Sequence, residues 1–228
     1  MAATDPSPSA YPLRLEGDLE PQLSRWLWLV KWFLLIPHFI CLVFLWLTLV
    51  LSALAAFFVL LFTGRYPHGL FNWNVGVLRW TWRVAFYGYS ALGTDRYPPF
   101  TMGEVPDYPA RLAVDYPERQ RRGLPLIGWW LLGIPQYAVA GLLAGGNRVP
   151  GIIAILVFVV AMLLLFKDRY PRDVFDLLLG FNRWAFRAGA YALLMTPEYP
   201  PFRLDMGGQE PPADASQGDV PHTPVPAA

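Results

Sequence analysis

The sequence predicts an all-α integral membrane protein of two tandem repeats, each a transmembrane helical hairpin followed by an amphipathic interfacial helix. Three observations predict it. First, one stretch occurs twice. Arg65-Tyr66-Pro67 runs through Phe71, Gly76, Arg79-Trp80, Arg83 and Tyr87 to Tyr97-Pro98-Pro99-Phe100; Arg169-Tyr170-Pro171 runs through Phe175, Gly180, Arg183-Trp184, Arg187 and Tyr191 to Tyr199-Pro200-Pro201-Phe202. The copies stand 104 positions apart as far as the tyrosine and 102 apart at their ends. Self-similarity of this kind means two copies of one structural unit. Second, each copy is preceded by a long apolar run. Third, 55% of the 228 residues are hydrophobic and 15% charged, with a mean hydropathy of +0.34. A soluble domain of this size needs more charge on its surface.

The elements follow in order. Residues 1–10 lack the basic and apolar regions of a cleavable signal peptide and read as a disordered start. The first repeat covers 11–104. Its polar approach, Tyr11 to Ser24, ends at a residue able to cap a helix. Trp26 to Phe62 is nearly continuous apolar sequence of 37 residues. As one straight helix it would reach about 55 Å, against about 30 Å of bilayer hydrocarbon. It therefore either bends at Pro37, giving a surface helix and one span, or forms a hairpin of two short spans.

The second repeat, 124–206, favours the hairpin. Its Ile134-Pro135-Gln136 matches Ile36-Pro37-His38, and its apolar run is split by the turn signal Gly145-Gly146-Asn147-Arg148-Val149-Pro150-Gly151. Two helices follow, Leu124 to Ala144 and Gly151 to Phe166. Carried back, this predicts a first hairpin over about 25–62 with its turn near Leu47 to Ser52, and a second over about 124–166.

Of 18 Lys and Arg, only Arg148 falls in a hairpin turn. The positive-inside rule then places both termini and the linker 105–123 in the cytoplasm, as a multi-pass protein of the cell membrane. An even number of spans per repeat predicts a pseudo-twofold axis along the membrane normal.

The repeated stretch itself reads as a helix over about 69–91 and again over about 173–194, entered through Pro67 and Pro171. At 100° per residue, Asn72, Gly76, Arg79, Arg83 and Tyr87 fall on one stripe, as do Asp176, Gly180, Arg183, Arg187 and Tyr191. Polar stripe, arginine and aromatics suit a membrane surface. A third span per copy would put two Arg at mid-bilayer, each costing at least about 2.5 kcal/mol. The two Tyr-Pro-Pro-Phe ends stop the helices, and 207–228 reads as a disordered tail.

Together, Leu61-Phe62-Thr63-Gly64-Arg65-Tyr66-Pro67, then Gly69-Leu70-Phe71, Gly76-Val77-Leu78-Arg79-Trp80, Arg83-Val84 and Asp95-Arg96-Tyr97-Pro98-Pro99-Phe100, resemble an uncharacterised bacterial membrane domain, domain of unknown function 4389. The resemblance covers about Tyr11 to Leu204 as two tandem copies. The second departs from it where Lys167-Asp168 replaces Thr63-Gly64, Gln136 replaces His38 and Pro197-Glu198 replaces Asp95-Arg96. It implies an integral membrane protein and no activity.

No hydrolase, nucleotide-binding or metal motif occurs, so no catalytic residue, metal or other cofactor is expected. A net charge of +1 gives no indication of nucleic acid. His38 is the one polar residue that could act inside a span; the bland reading is a kink residue bonded to a backbone carbonyl. The single Cys41 reads as a small core residue.

Arg79, Arg83, Arg183 and Arg187 have three readings: snorkelled charge, sites for lipid phosphate, for which the arginine fork is suited, or pairing with an acid of the other copy such as Asp168 or Asp176. The expected partners are the lipid bilayer, anionic phospholipid and an unidentified protein. Three functions stand open: a non-enzymatic scaffold or accessory subunit of a membrane complex, a small transporter or lipid-handling protein, and a membrane enzyme acting on lipid. The first leads, because no acid–base or nucleophile cluster is visible and the spans are dry.

Overall fold

The structure is a computed structural model that describes residues 11–118, 120, 131, 133–145, 150–167 and 169–207. The expectations for 1–10 and 208–228, and for Asn147 and Arg148 in the turn, lie outside the described residues. Strand β1 (Leu13–Gly17) opens the chain, followed by the short helix α1 (Trp28–Leu34), α2 (Ile36–Thr63) and α3 (His68–Tyr87). Strand β2 (Ala110–Val114), α4 (Ile134–Ala144), α5 (Ile152–Lys167) and α6 (Arg172–Ala192) complete it.

Helices α3 and α6 form within a few residues of the predicted bounds, each behind its proline in extended conformation. The first hairpin does not form. Residues 47 to 52, where its turn was expected, lie in the middle of α2, a single helix of 28 residues. The break falls at Leu35 instead, giving the short helix α1 followed by one long helix that Pro37 enters in its first turn. The reason is in the spacing. Ile36 and Ile134 are 98 positions apart but Arg65 and Arg169 are 104 apart, so the second copy is six residues longer between these points, and the Gly- and Pro-rich turn 145–151 stands in that stretch. Without it nothing in the first copy opposes continuation of an apolar helix. In the second copy Gly145, at φ 79°, ends α4 and bridges to Pro150 before α5 begins. The buried positions nonetheless correspond, with His38, Ala56 and Leu60 matched by Gln136, Val160 and Leu164.

The second departure is β structure. The polar approach contains β1 and the linker contains β2, and they pair antiparallel with Leu15 opposite Leu112, Leu13 opposite Val114 and Gly17 opposite Ala110. Tyr11-Pro12-Leu13-Arg14-Leu15 recurs as Tyr108-Pro109-Ala110-Arg111-Leu112, 97 positions on, so the repeat begins earlier than the helices. Because equivalent residues pair about Leu15 and Leu112, the ribbon has a local two-fold axis at its centre. The axis also relates Trp82 and Phe186, equivalent residues whose rings meet edge to face with centroids 5.6 Å apart.

Through this axis the copies exchange their strands. Helix α6 packs on β1 and α3 packs on β2. The Tyr11 hydroxyl donates to the Glu198 carbonyl and the Tyr108 hydroxyl to the Arg96 carbonyl, equivalent bonds that each cross from one copy's strand to the other copy's chain. Tyr66 and Tyr170 repeat the exchange, donating to the Leu193 and Ala91 carbonyls. One core results, in which Leu13, Leu15, Phe71, Trp82 and Phe86 pack with Leu112, Phe175 and Leu179.

On the far side of α3 lies α2, joined to it by Trp46 donating to Thr81 Oγ1 at 3.0 Å and Trp73 to Thr48 Oγ1 at 3.2 Å. The other faces of α1 and α2 are open: Trp32, Phe33, Phe39, Phe44, Val50 and Phe62 are exposed, as are Phe158 and Phe166 of α5. Among the described residues α2 alone is long and apolar enough to cross a membrane.

Candidate functional site

The stripe of each repeated helix turns inward past its first residue: Asn72 is exposed, and Asp176 and Arg79 are half-buried. Gly76, Arg83 and Tyr87 are buried, as are Gly180, Arg183, Arg187 and Tyr191. What covers it is the chain returning from each Tyr-Pro-Pro-Phe turn. A Cβ at Gly76 would stand 2.9 Å from Met102, and one at Gly180 would stand 3.0 Å from Leu204, so glycine lets the return segment lie directly on the helix.

The guanidiniums meet backbone carbonyls. Arg79 Nε donates to the Leu112 carbonyl at 2.9 Å and Arg183 Nε to the Leu15 carbonyl at 2.7 Å, the two residues paired at the centre of the ribbon. Each arginine thus reaches the strand of the other copy. Arg183 also donates to the Asp205 carbonyl at 2.8 Å and is fully buried. Arg83 donates to the Gly103 carbonyl at 3.0 Å and to that of Thr101. Arg187 pairs with the Asp205 carboxylate at 2.7 Å and lies 5.3 Å above the Tyr11 ring. No bond from the stripe to Asp176 is seen among the described residues, and Asp168 lies outside them; the cross-copy acceptors observed are carbonyls.

The return segments over the two stripes differ at a position that matters for charge. Gly103 and Asp205 are equivalent, 102 apart. In the second copy the Asp205 carboxylate meets Arg187; in the first there is no side chain to meet Arg83. Burial draws the Arg83 guanidinium below its ordinary pKa, though arginine stays charged in proteins. Beside it opens a cavity of about 280 Å³, lined by Arg14, Arg79, Arg83, Arg111, Glu16 and Glu104 among others.

His38 lies apart from the stripe, buried where α2 begins. Its Nδ1 accepts from the Trp80 indole at 2.9 Å, and its ring stacks on Phe100 at 3.9 Å. The Pro98 carbonyl is near the imidazole, but Nε2 makes no well-formed hydrogen bond. Gln136 repeats the arrangement, accepting from Trp184 Nε1 and donating to the Pro200 carbonyl at 2.8 Å. A polar side chain here therefore ties the helix start to the Tyr-Pro-Pro-Phe turn in both copies.

Lys31 is buried too, 3.0 Å from Asp95 and 2.7 Å from the Thr94 carbonyl; desolvation lowers its pKa and the Asp95 carboxylate opposes that. Its counterparts in the second copy are Trp129 and Pro197, so the pair belongs to the first copy alone. Tyr11, Tyr108 and Asp205, which build the stripe's surroundings, were not among the sequence candidates. The recurrence of Tyr-Pro-x-Arg-Leu was the signal that could have found the tyrosines. Among the described residues no group of His, Cys, Asp and Glu could hold a metal ion.

The family described as Domain of unknown function (DUF4389) matches residues 25–102 and again 129–203. No curated protein and no solved structure matches the chain.

Proposed function

This chain belongs to the DUF4389 family and carries its domain twice, and from that premise we propose that it is a non-enzymatic scaffold or accessory subunit of a membrane complex. The observation that carries the reading is the division of its surface. The outer face of α1 and α2 is a continuous array of exposed large apolar side chains, far more than a soluble monomer leaves open. The ribbon side carries the ion pairs Arg14–Asp115 and Arg111–Asp18, again equivalent in the two copies. The apolar face lies in lipid; the ribbon side faces the cytoplasm with both termini and offers the docking surface for an unidentified protein partner.

Two forms of insertion fit this division. Multi-pass insertion is favoured by the placement of the basic residues. Immersion in one leaflet is favoured by the tethering of both ends of α2 to one folded unit, where Tyr97 donates to the Leu34 carbonyl at 3.0 Å and the Gln120 amide to the Gly64 carbonyl at 3.0 Å. A second function, binding of anionic lipid headgroups, was expected through Arg79, Arg83, Arg183 and Arg187; its support is at the first stripe, where Arg79 and Arg83 line the cavity, whereas Arg183 and Arg187 are buried on protein acceptors.

The full chain is expected to stay in the membrane pellet after alkaline carbonate extraction. Release into the supernatant would overturn the membrane reading. In a Cys41→Ser background, a cysteine at Asn147 labelled from outside intact cells supports multi-pass insertion, and one labelled only after lysis supports immersion. A cysteine at Glu104 is expected to be reached only from the cytoplasm; labelling there from outside would reverse the orientation.

A further inference from the structure

We propose that the cavity beside Arg83 is a binding site for one small oxyanion, a carboxylate or a phosphate monoester, and that the second copy of the repeat holds the built-in version of the same site. It does not rest on the membrane reading, since a soluble anion and a lipid headgroup present the same oxygens.

The argument begins with charge. Four guanidiniums line the cavity. Three have carboxylate partners: Arg14 pairs with Asp115, Arg111 with Glu16 and Asp18, and Arg79 with Glu104. Arg83 is seen to bond only to carbonyls and is 2% exposed. A buried cation without a counter-ion is costly, and a positioned anion removes that cost.

The second copy shows what the anion does. Its equivalent arginine, Arg187, receives the Asp205 carboxylate at 2.7 Å, and Arg203 holds the same carboxylate at 3.1 Å. In the first copy Gly103 stands at that position, so the carboxylate is missing, and Gly103 and Arg83 both line the cavity. Arginine forks suit the planar carboxylate and the phosphate alike. Glu104, 70% exposed, pairs with Arg79 in the wall of the cavity, where solvent can take its place.

The full chain in phosphatidylcholine nanodiscs provides the test. Inorganic phosphate, titrated at constant ionic strength, is one arm; phosphatidic acid added to the nanodisc is the other. The unfolding midpoint is expected to rise in one or both arms, as for any ligand that binds only the folded state. A response to phosphate identifies a soluble ligand, and a response to phosphatidic acid alone a headgroup. Gly103→Asp is expected to fill the cavity as Asp205 does, and to weaken the response at least about tenfold. The site tolerates it, because an added Cβ meets only Thr101 Oγ1 at 3.4 Å. Arg79→Gln, at the cavity mouth, is expected to weaken the response similarly, and serves if Gly103→Asp does not fold. No response to either probe, or an undiminished response in these variants, overturns the proposal.

Discussion

Arg183→Met is expected to cost about 3 kcal/mol or more of folding stability, because it leaves buried acceptors without a donor. The Leu15 carbonyl faces Arg183 Nε at 2.7 Å and the Asp205 carbonyl faces its Nη1 at 2.8 Å. The Leu15 carbonyl lies in the buried interior and that of Asp205 is partly buried, so water cannot replace the first lost donor cheaply. Met approximates the aliphatic length but supplies no N–H, so the change isolates the hydrogen bonds from most of the packing. Arg79→Met is the internal control. Arg79 makes the equivalent bond to Leu112 but keeps 22% of its side chain exposed, and its ion pair with Glu104 lies at the surface. There water can take over, and the expected cost is about 1 kcal/mol. Denaturant unfolding in detergent, followed by tryptophan fluorescence, reads both. If Arg183→Met unfolds with the wild type, the stripe does not hold the two copies together.

The second expectation concerns the exchange of strands. A protease site inserted within 121–130 and cut after purification should leave the two fragments bound to one another through detergent exchange and gel filtration. The chain before the cut carries both strands, and β1 is the strand on which α6 of the other fragment packs. The ties across the cut also include Tyr11 to Glu198, Tyr66 to Leu193, Gln120 to Leu194 and the contact of Trp82 with Phe186. Joined by a shared core, the fragments hold together without their covalent link; expressed singly, the second should aggregate or be degraded, since of that core it keeps only Phe175, Leu179, Ala190, Leu194 and Met195, and the first should expose the apolar face that these residues cover. Two fragments that separate in mild detergent, or a single fragment with a cooperative unfolding transition of its own, would show that the copies are independent domains joined by a linker.

The repeated helices were legible to within a few residues because their signals are local. Pro67 and Pro171 set the entries, and the stripe from Gly76 to Tyr87 shows the helical period directly. The direction that the stripe faces was not legible. A polar stripe with arginines fits a headgroup layer and a buried seam equally well from one helix alone. The outcome turned on the return segment after Phe100 and Phe202, whose carbonyls accept from the arginines. The first hairpin failed for a related reason: a turn was carried from one copy to the other although the first copy is six residues shorter there and has neither glycine nor proline between Leu47 and Ser52.

By itself the sequence determined that one unit occurs twice, that its apolar runs are helical and too hydrophobic for an ordinary soluble surface, and where α3 and α6 start and stop. These follow from spacing, composition and punctuation within a few turns of chain. Only the tertiary structure decided that β1 and β2 pair, that each copy lends its strand to the other, and that a cavity lies beside Gly103, where the second copy has Asp205 paired with Arg187. The alternation Leu13-Arg14-Leu15 marks a possible strand, but five residues have no stable extended form until a partner arrives. That partner lies 97 positions away. A pairing over such a distance depends on the whole core closing around it rather than on any local preference.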